Sequence, residues 1–353
     1  TWNALIMGYV KAGLGREAII CFDDLREEGI SPNLATFISV SKACINCGDV
    51  DVAQRIFVEI AEQGLESDLL AGSAFVDMFA KLGLLEKSQR VFNKLPVKDV
   101  VSWTSLIAGY AEHGNSEEAL NFLDQMQLEG IHPNSITYTC ALKACGNLQS
   151  IQKGRELHSE IARKGMLDKD IELDNALVDM YMKCGFMENA REVFDEMPSQ
   201  DSLSWMALLT GYAQSGFDEE ALQCLLEMQA DGAFPDETAW ASLIICDLQK
   251  GKSENVFLLY AQMQDQGVSP DSMTFLGILK ACSDMGTLQI GREIHTHLWK
   301  VGFDSNNLFL LNALLDMYVK CGHMVDAQYI FDLMPIKDCV TWNTLLVGYS
   351  NGS

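Results

Sequence analysis

His158-Ser159-Glu160 and Cys44-x-x-Cys47 are the groupings in this chain whose residue types and spacing could do chemistry. A histidine two positions before a glutamate is half of the motif with which zinc deaminases hold a metal and place a general acid/base. The other half is Pro-Cys-x-x-Cys. None follows here, and the matching His295 is followed by Thr296-His297. Two cysteines three apart are half a zinc site and need a second pair. No second pair lies nearby, and Cys145 and Cys282 stand singly at the place Cys44 takes in its own segment; Cys184 and Cys321 recur in the same manner. The 11 cysteines lack paired spacing and read as reduced thiols. There is no phosphate loop, catalytic triad or paired-carboxylate constellation. The expectation is a chain that is not an enzyme, with no catalytic residue, metal, cofactor or small-molecule substrate. The polar residues that do recur are Asn, Asp and Thr at fixed intervals, accompanied by lysines.

Those intervals come from a repeat. NALVDMYMKCG at 175–185 returns as NALLDMYVKCG at 312–322, 137 positions later, and SAFVDMFAKLG at 73–83 is a looser copy. All 7 prolines fall at related places. Pro32, Pro133, Pro235 and Pro270 each lie three residues after a glycine, whereas Pro96, Pro198 and Pro335 directly follow Leu95, Met197 and Met334. Between these stops the pattern is helical. Trp103, Leu106, Ile107 and Tyr110 make one apolar stripe, Gly114 breaks it, and Ala119, Leu120, Phe122, Leu123 and Met126 make a second. Glycine past a helix followed by proline is a C-terminal stop, and Glu117 and Glu118 suit the second helix's start.

The unit is helix–turn–helix, phased as 1–33, 34–68, 69–99, 100–134, 135–170, 171–201, 202–236, 237–271, 272–307 and 308–338, with half a unit at 339–353. Three lengths alternate, near 35, then 35–36, then 31. The short units end in Leu-Pro or Met-Pro and drop the glycine turn. One helix pair cannot bury its own apolar faces, so the units must stack into a single array. The Trp of the 35-residue units (Trp2, Trp103, Trp205, Trp342, joined by Trp240) is read as core. The chain opens on Thr1-Trp2-Asn3 and stops in mid-pattern, so it is expected to be a piece of a longer protein. No apolar run approaches membrane-span length.

Two helices in 34–35 residues fit a tetratricopeptide or a pentatricopeptide array. The tetratricopeptide signature wants a fixed 34-residue period and its own Trp–Leu-Gly–Tyr spacing, and neither is present. VSWTSLIAGYAEHGNSEEALNFLDQMQLEGIHPN at 101–134, TWNALIMGYVKAG at 1–13 and TWNTLLVGYSNG at 341–352 closely resemble the pentatricopeptide repeat. The alternation of lengths resembles the plant subclass built of P, L and S units. Middle-type units carry SKACINC at 41–47, LKACGNL at 142–148 and LKACSDM at 279–285, two of them with GRELH at 154–158 or GREIH at 291–295. On this resemblance 1–33, 100–134 and 202–236 are P, 34–68, 135–170 and 272–307 are L, 69–99, 171–201 and 308–338 are S, 237–271 is P-like and 339–353 a partial P. The implied fold is all-α, a right-handed α-solenoid superhelix.

The resemblance implies sequence-specific binding of single-stranded RNA at roughly one base per unit. In this family the fifth residue of a unit reads the base together with the last, and the second packs against it. Independently, positions two, five, nine and thirteen share a helix face, as with Val101, Thr104, Ala108 and Glu112. Carried over unit by unit, 5′ to 3′ along the chain, Asn3 with Asn33 implies a pyrimidine and Ile38 with Asp68 is uninformative. Ser73 with Asp99 implies a purine, with G the first choice, and Thr104 with Asn134 implies A. Thr139 with Asp170 implies G, although middle-type units are the least reliable readers. Asn175 with Asp201 and Asn312 with Asp338 imply U, and Met206 with Asp236 leans the same way. Ala241 with Asp271 is undetermined and Leu276 with Asn307 silent. Asn343 favours a pyrimidine. The implied base-packing residues are Leu70, Val101, Ile136, Leu203, Met273, Phe309 and Val340, with Glu172 breaking the apolar rule.

Net charge is −24 and the pI about 4.5, opposite to the usual nucleic-acid binder. Lys11, Lys42, Lys81, Lys143, Lys183, Lys280 and Lys320 are the predicted phosphate-proximal cations. Asp77, Asp179 and Asp316 sit four residues before three of them and partly cancel them. Few phosphate contacts and a shallow salt dependence are therefore expected. The resemblance further implies an organellar C-to-U editing factor whose C-terminal catalytic or recruiting region is not in these residues. Its location would be chloroplast or mitochondrion, and an auxiliary editing protein would dock on the L units. The alternative is a tetratricopeptide-like protein-binding scaffold, which the acidity favours and the variable unit length disfavours.

Overall fold

The computed structural model describes residues 2–64, 68–167, 169–300 and 307–351. Thr1 and the ends of three phased stretches, at 65–67, 301–306 and 352–353, lie outside the described residues, as does Asp168. Among the described residues every element is an α-helix and there is no strand. The chain divides into two compact bodies, Thr1–Ser199 and Gln200–Ser353.

The first body holds six helix pairs. They are α1 (Trp2–Lys11) with α2 (Gly15–Glu27), α3 (Leu34–Cys47) with α4 (Val50–Glu62), α5 (Leu69–Lys81) with α6 (Leu85–Lys94), α7 (Val100–Glu112) with α8 (Ser116–Leu128), α9 (Ser135–Asn147) with α10 (Ile151–Arg163), and α11 (Ile171–Lys183) with α12 (Met187–Glu196). The second holds α13 (Ser202–Ser215) with α14 (Asp218–Ala230), α15 (Glu237–Gln249) with α16 (Ser253–Asp265), α17 (Ser272–Met285) with α18 (Leu288–Lys300), α19 (Leu308–Lys320) with α20 (Met324–Leu333), and the single α21 (Cys339–Asn351).

In both bodies the first helix of each pair packs on the first helix of the next. Each second helix packs on its own first helix and, in most pairs, on the following one. This leaves one side of the first-helix layer uncovered. The two lengths of second helix follow from their stops. Long ones end in a glycine with positive φ, such as Gly130 at 76° and Gly232 at 78°, a conformation that costs a side chain dearly. Short ones, α6, α12 and α20, run 10 residues instead of 13. They stop because proline drives the residue before it into extended backbone, as at Leu95 (φ −63°, ψ 129°), and that residue is buried.

The core is built of the stripes read above. Trp103 is 1% exposed and lies between Phe92 of α6 at 4.6 Å and Phe122 of α8 at 6.4 Å. Trp205 and Trp240 are likewise buried. Trp342 corrects the expectation, being 50% exposed. It keeps the edge contact with Phe331 at 4.8 Å, and among the described residues no second helix packs on its other side. Trp2 is only half-buried.

Candidate nucleic-acid interface

The uncovered side of the first helices carries the residues singled out at positions two and five. The second-position side chains all stand in solvent: Leu70, Val101 and Ile136 in the first body, Leu203, Met273, Phe309 and Val340 in the second, with Phe309 79% exposed. Exposed apolar side chains at one place in successive units, beside half-buried polar ones, make a surface suited to flat apolar ligands.

The residue at each unit's end has a structural duty that the sequence reading missed. Every one of them is the N-cap of the next first helix. Asn33, Asp68, Asp99, Asn134 and Asp170 cap α3, α5, α7, α9 and α11. Asp201, Asp236, Asp271 and Asn307 cap α13, α15, α17 and α19. A side-chain oxygen accepts from a backbone N–H left unpaired by the helix, as Asp99 Oδ1 does from Ser102 at 2.8 Å. Before α21, Asp338 Oδ1 accepts the Thr341 N–H at 2.8 Å. The signal was legible as Asn/Asp-x-x-Ser/Thr, a capping box in which the hydroxyl reaches back to the cap's own N–H.

At three places the fifth residue joins this cap. Asn3 Nδ2 donates to Asn33 Oδ1 at 3.1 Å, and Thr36 Oγ1 donates to Asn3 Oδ1 at 2.7 Å. Thr104 and Thr137 share a hydroxyl–hydroxyl bond of 2.7 Å, and Thr137 Oγ1 donates to Asn134 Oδ1 at 2.8 Å. Asn312 Nδ2 donates to Asp338 Oδ1 at 3.4 Å, and Thr341 Oγ1 to Asn312 Oδ1 at 2.8 Å. Asp338 is held below the usual carboxylate range, first by the Thr341 backbone N–H and then by its hydroxyl, so it stays a charged acceptor. Ser73 does not close such a cluster: its hydroxyl is buried without a partner, while Ser102 Oγ turns to the Asp99 carbonyl at 2.9 Å. Asn175 lies half-exposed in the first body and its sequence partner Asp201 caps α13 in the second. Thr139, Met206 and Asn343 sit on the first helices with their side chains at least partly open.

All seven predicted lysines are exposed. Lys81, Lys183 and Lys320 are engaged by Asp77, Asp179 and Asp316 at 3.1, 2.8 and 2.8 Å, and Lys280 by Asp284 at 2.9 Å. Lys11, Lys42 and Lys143 make no ion pair among the described residues. These paired cations are solvent-screened, and each pair is weak.

The groupings that resembled catalytic motifs are spent on packing. His158 Nδ1 is 2.8 Å from the Tyr181 hydroxyl, and His295 repeats this with Tyr318 at 2.7 Å. Glu160 accepts from Tyr138 at 2.7 Å and pairs with Lys164 at 3.0 Å. Cys44 is 0% exposed, and burial pushes its thiol up to about 12.

Comparison with known proteins gives one consistent result. The description "PPR repeat family" matches residues 1–46 and 98–147, "PPR repeat" matches 175–201, and "Pentacotripeptide-repeat region of PRORP" matches 206–334. A pentatricopeptide repeat-containing protein of Arabidopsis thaliana is 35% identical over 99% of this chain and 35% of its own length. Another from the same plant, named chloroplastic, is 30% identical over 99% of this chain and 51% of itself; a third, named mitochondrial, is 29% identical over 99% and 52%. This chain thus spans between a third and about half of these relatives. Among solved structures, PPR10 in complex with an 18-nt PSAJ RNA element matches with TM-score 0.74 and 18% identity, covering 99% of this chain and 52% of that one. PPR10 from maize matches with TM-score 0.51 and 20% identity, covering 99% and 56%.

Proposed function

The chain belongs to the pentatricopeptide repeat family, and on that premise we propose that it is a non-catalytic module binding single-stranded RNA in a sequence-specific way, one base per unit. The observation that carries this reading is an exposed apolar side chain at the second position of seven units, which in Leu70, Val101, Ile136 and Phe309 stands beside a polar fifth residue and an Asp or Asn at the unit's end. Phe309 with Asn312 and Asp338 serves as the example. The apolar ring supports the face of a base, and the amide and carboxylate meet its edge. Asp338 offers an acceptor and Asn312 an amide N–H, which suits the imide N–H and carbonyls of uracil. A family relative solved with bound RNA supports the reading by likeness of fold.

The alternation of P-, L- and S-type lengths supports a finer proposal, that the module recognises sites for organellar C-to-U editing. Relatives named chloroplastic and mitochondrial agree with an organellar location. An auxiliary editing protein docking on the L units would then supply affinity that the paired lysines do not. The test is RNA selection from a random pool, with this chain and with Asn312→Thr. The reading requires U opposite 308–338 in the parent and a shift toward purine in the variant. Failure to enrich any RNA at low salt would defeat it, and a protein ligand for an acidic scaffold would then be sought.

A further inference from the structure

Beyond the fifth and last residues stands a third, the hydroxyl at position three of the following unit. It is Thr36, Ser102, Thr137, Ser204, Thr274 or Thr341, and each is essentially buried. In three units the fifth side chain and this hydroxyl are hydrogen-bonded: Thr36 with Asn3, Thr137 with Thr104, and Thr341 with Asn312. Where position five is apolar, the hydroxyl is mostly missing. Ile38, Met206 and Leu276 are followed by Ala71, Ala239 and Leu310 at the third position of the next unit. Thr139 also lacks its partner, Leu173 standing there. Thr274 is the instructive exception. The matching fifth residue is Ala241, and the Thr274 Oγ1 is buried with no partner, while Asp271 accepts its backbone N–H at 2.7 Å.

We infer that this buried hydroxyl is a positioning residue that sets which hydrogen-bonding edge the fifth side chain turns toward a base. A hydroxyl has one proton. Thr341 Oγ1 lies 2.8 Å from both Asn312 Oδ1 and Asp338 Oδ1; in the arrangement that gives its proton to Asn312, the amide turns its NH2 group toward Asp338 and the open face and donates outward. Without that bond the amide can present either end, and a flipped amide accepts where it should donate. At Thr104 the polarity inverts. In the arrangement where Thr137 Oγ1 gives its proton to Asn134 Oδ1 at 2.8 Å, Thr104 donates the 2.7 Å bond between the two hydroxyls and offers its lone pairs outward. An outward acceptor beside the Asn134 amide suits the amino group of adenine. Slots lacking the hydroxyl are then unlocked, and Thr139 with Asp170 discriminates poorly despite its polar pair.

This rests on the RNA-reading proposal above, and the experiment separates the two. Per-slot base preference is measured by selection for the parent, Thr341→Val, Thr341→Ser, Ala241→Asn, and Ala241→Asn with Thr274→Val. The expected result is that Thr341→Val lowers discrimination at the 308–338 slot roughly five- to tenfold, the loss of one buried hydrogen bond. The slots of Asn3 and Thr104 keep theirs, which reports that the array is folded, and Thr341→Ser restores the lost preference. Ala241→Asn gives the 237–271 slot a new pyrimidine preference, which Thr274→Val removes. Unchanged discrimination in Thr341→Val, or equal sharpness with and without Thr274, overturns the positioning role while leaving RNA reading intact. A parent that selects no RNA overturns both.

Discussion

Gly109 of α7 lies against Ala80 of α5 so closely that a β-carbon on the glycine would stand 2.5 Å from the Ala80 β-carbon and 3.0 Å from its α-carbon. Neither neighbour is the flexible end of a side chain, so the two helices would have to part. Overpacking of this kind costs about 1–3 kcal/mol, while alanine regains about 1 kcal/mol of helix propensity over glycine. Gly109→Ala is expected to lower the Tm. Gly8 holds the same unit position in α1, with nothing within 4 Å of its added carbon, and Gly8→Ala is expected to raise the Tm or leave it unchanged. Parallel thermal scans decide the matter, and a rise in both variants would refute the close-packing account.

Asp99 caps α7 through a reciprocal box with Ser102. Asp99→Ala is expected to cost about 0.5–2 kcal/mol, and Asp99→Asn very little, since both acids and amides cap well. Unfolding of the three chains side by side would expose a different role if the alanine and asparagine variants were equally destabilised.

Phe309 is 79% exposed and supports no core. Phe309→Ala should therefore leave the Tm within the scatter of surface substitutions, about 0.5 kcal/mol. If it supports a base, RNA affinity falls by on the order of 1–3 kcal/mol. Filter binding on the selected RNA, beside a thermal scan, distinguishes a stacking surface from a passive one: equal affinity in both chains means no base rests there.

Asp77, Asp179 and Asp316 hold three lysines that would otherwise be free to meet phosphates. The triple change of these acids to asparagine should raise RNA affinity at low salt. It should also steepen the slope of log K against log salt by about 2, at about 0.7 per phosphate on a single strand. An unchanged slope would remove these lysines from the phosphate path.

His158 and His295 are pulled below the ordinary histidine value, chiefly by burial, with Glu196 and Asp326 opposing in part. A group whose folded pKa lies below its unfolded value takes up its proton more readily when unfolded. Its contribution to stability is complete above the reference value of 6.5 and declines as pH falls through it. Thermal scans at pH 7.5 and 5.5 should show a larger acid-side loss in the parent than in His158→Gln/His295→Gln. Identical losses would mean that the Tyr181 and Tyr318 contacts survive protonation.

Much of the fold was readable because its causes are local. The stripe from Trp103 to Tyr110, the glycine stops and the Leu95-Pro96 end act within one turn or across one peptide bond. So do the Asp77–Lys81 type pairs, which the spacing alone placed on one face. The caps are equally local, but an Asp or Asn at a unit's end offers the same oxygen to a helix N-terminus and to a base edge, so its type alone does not separate the two duties. The half-exposed Trp342 was misread, because a tryptophan at a core position is buried only where a helix arrives to cover it.

The sequence by itself determined the helices, their ends, the apolar residue at most second positions and the acid or amide at each cap, since these rest on propensity, period and capping within four residues. Only tertiary structure decided which polar atoms meet. Asn3 and Asn33 are 30 residues apart, and Thr104 and Thr137 are 33 apart. They touch because one first helix packs on the next at a distance that places a hydroxyl between a cap and a fifth side chain. The Thr274 hydroxyl is buried with no hydrogen-bond partner, which no local rule states.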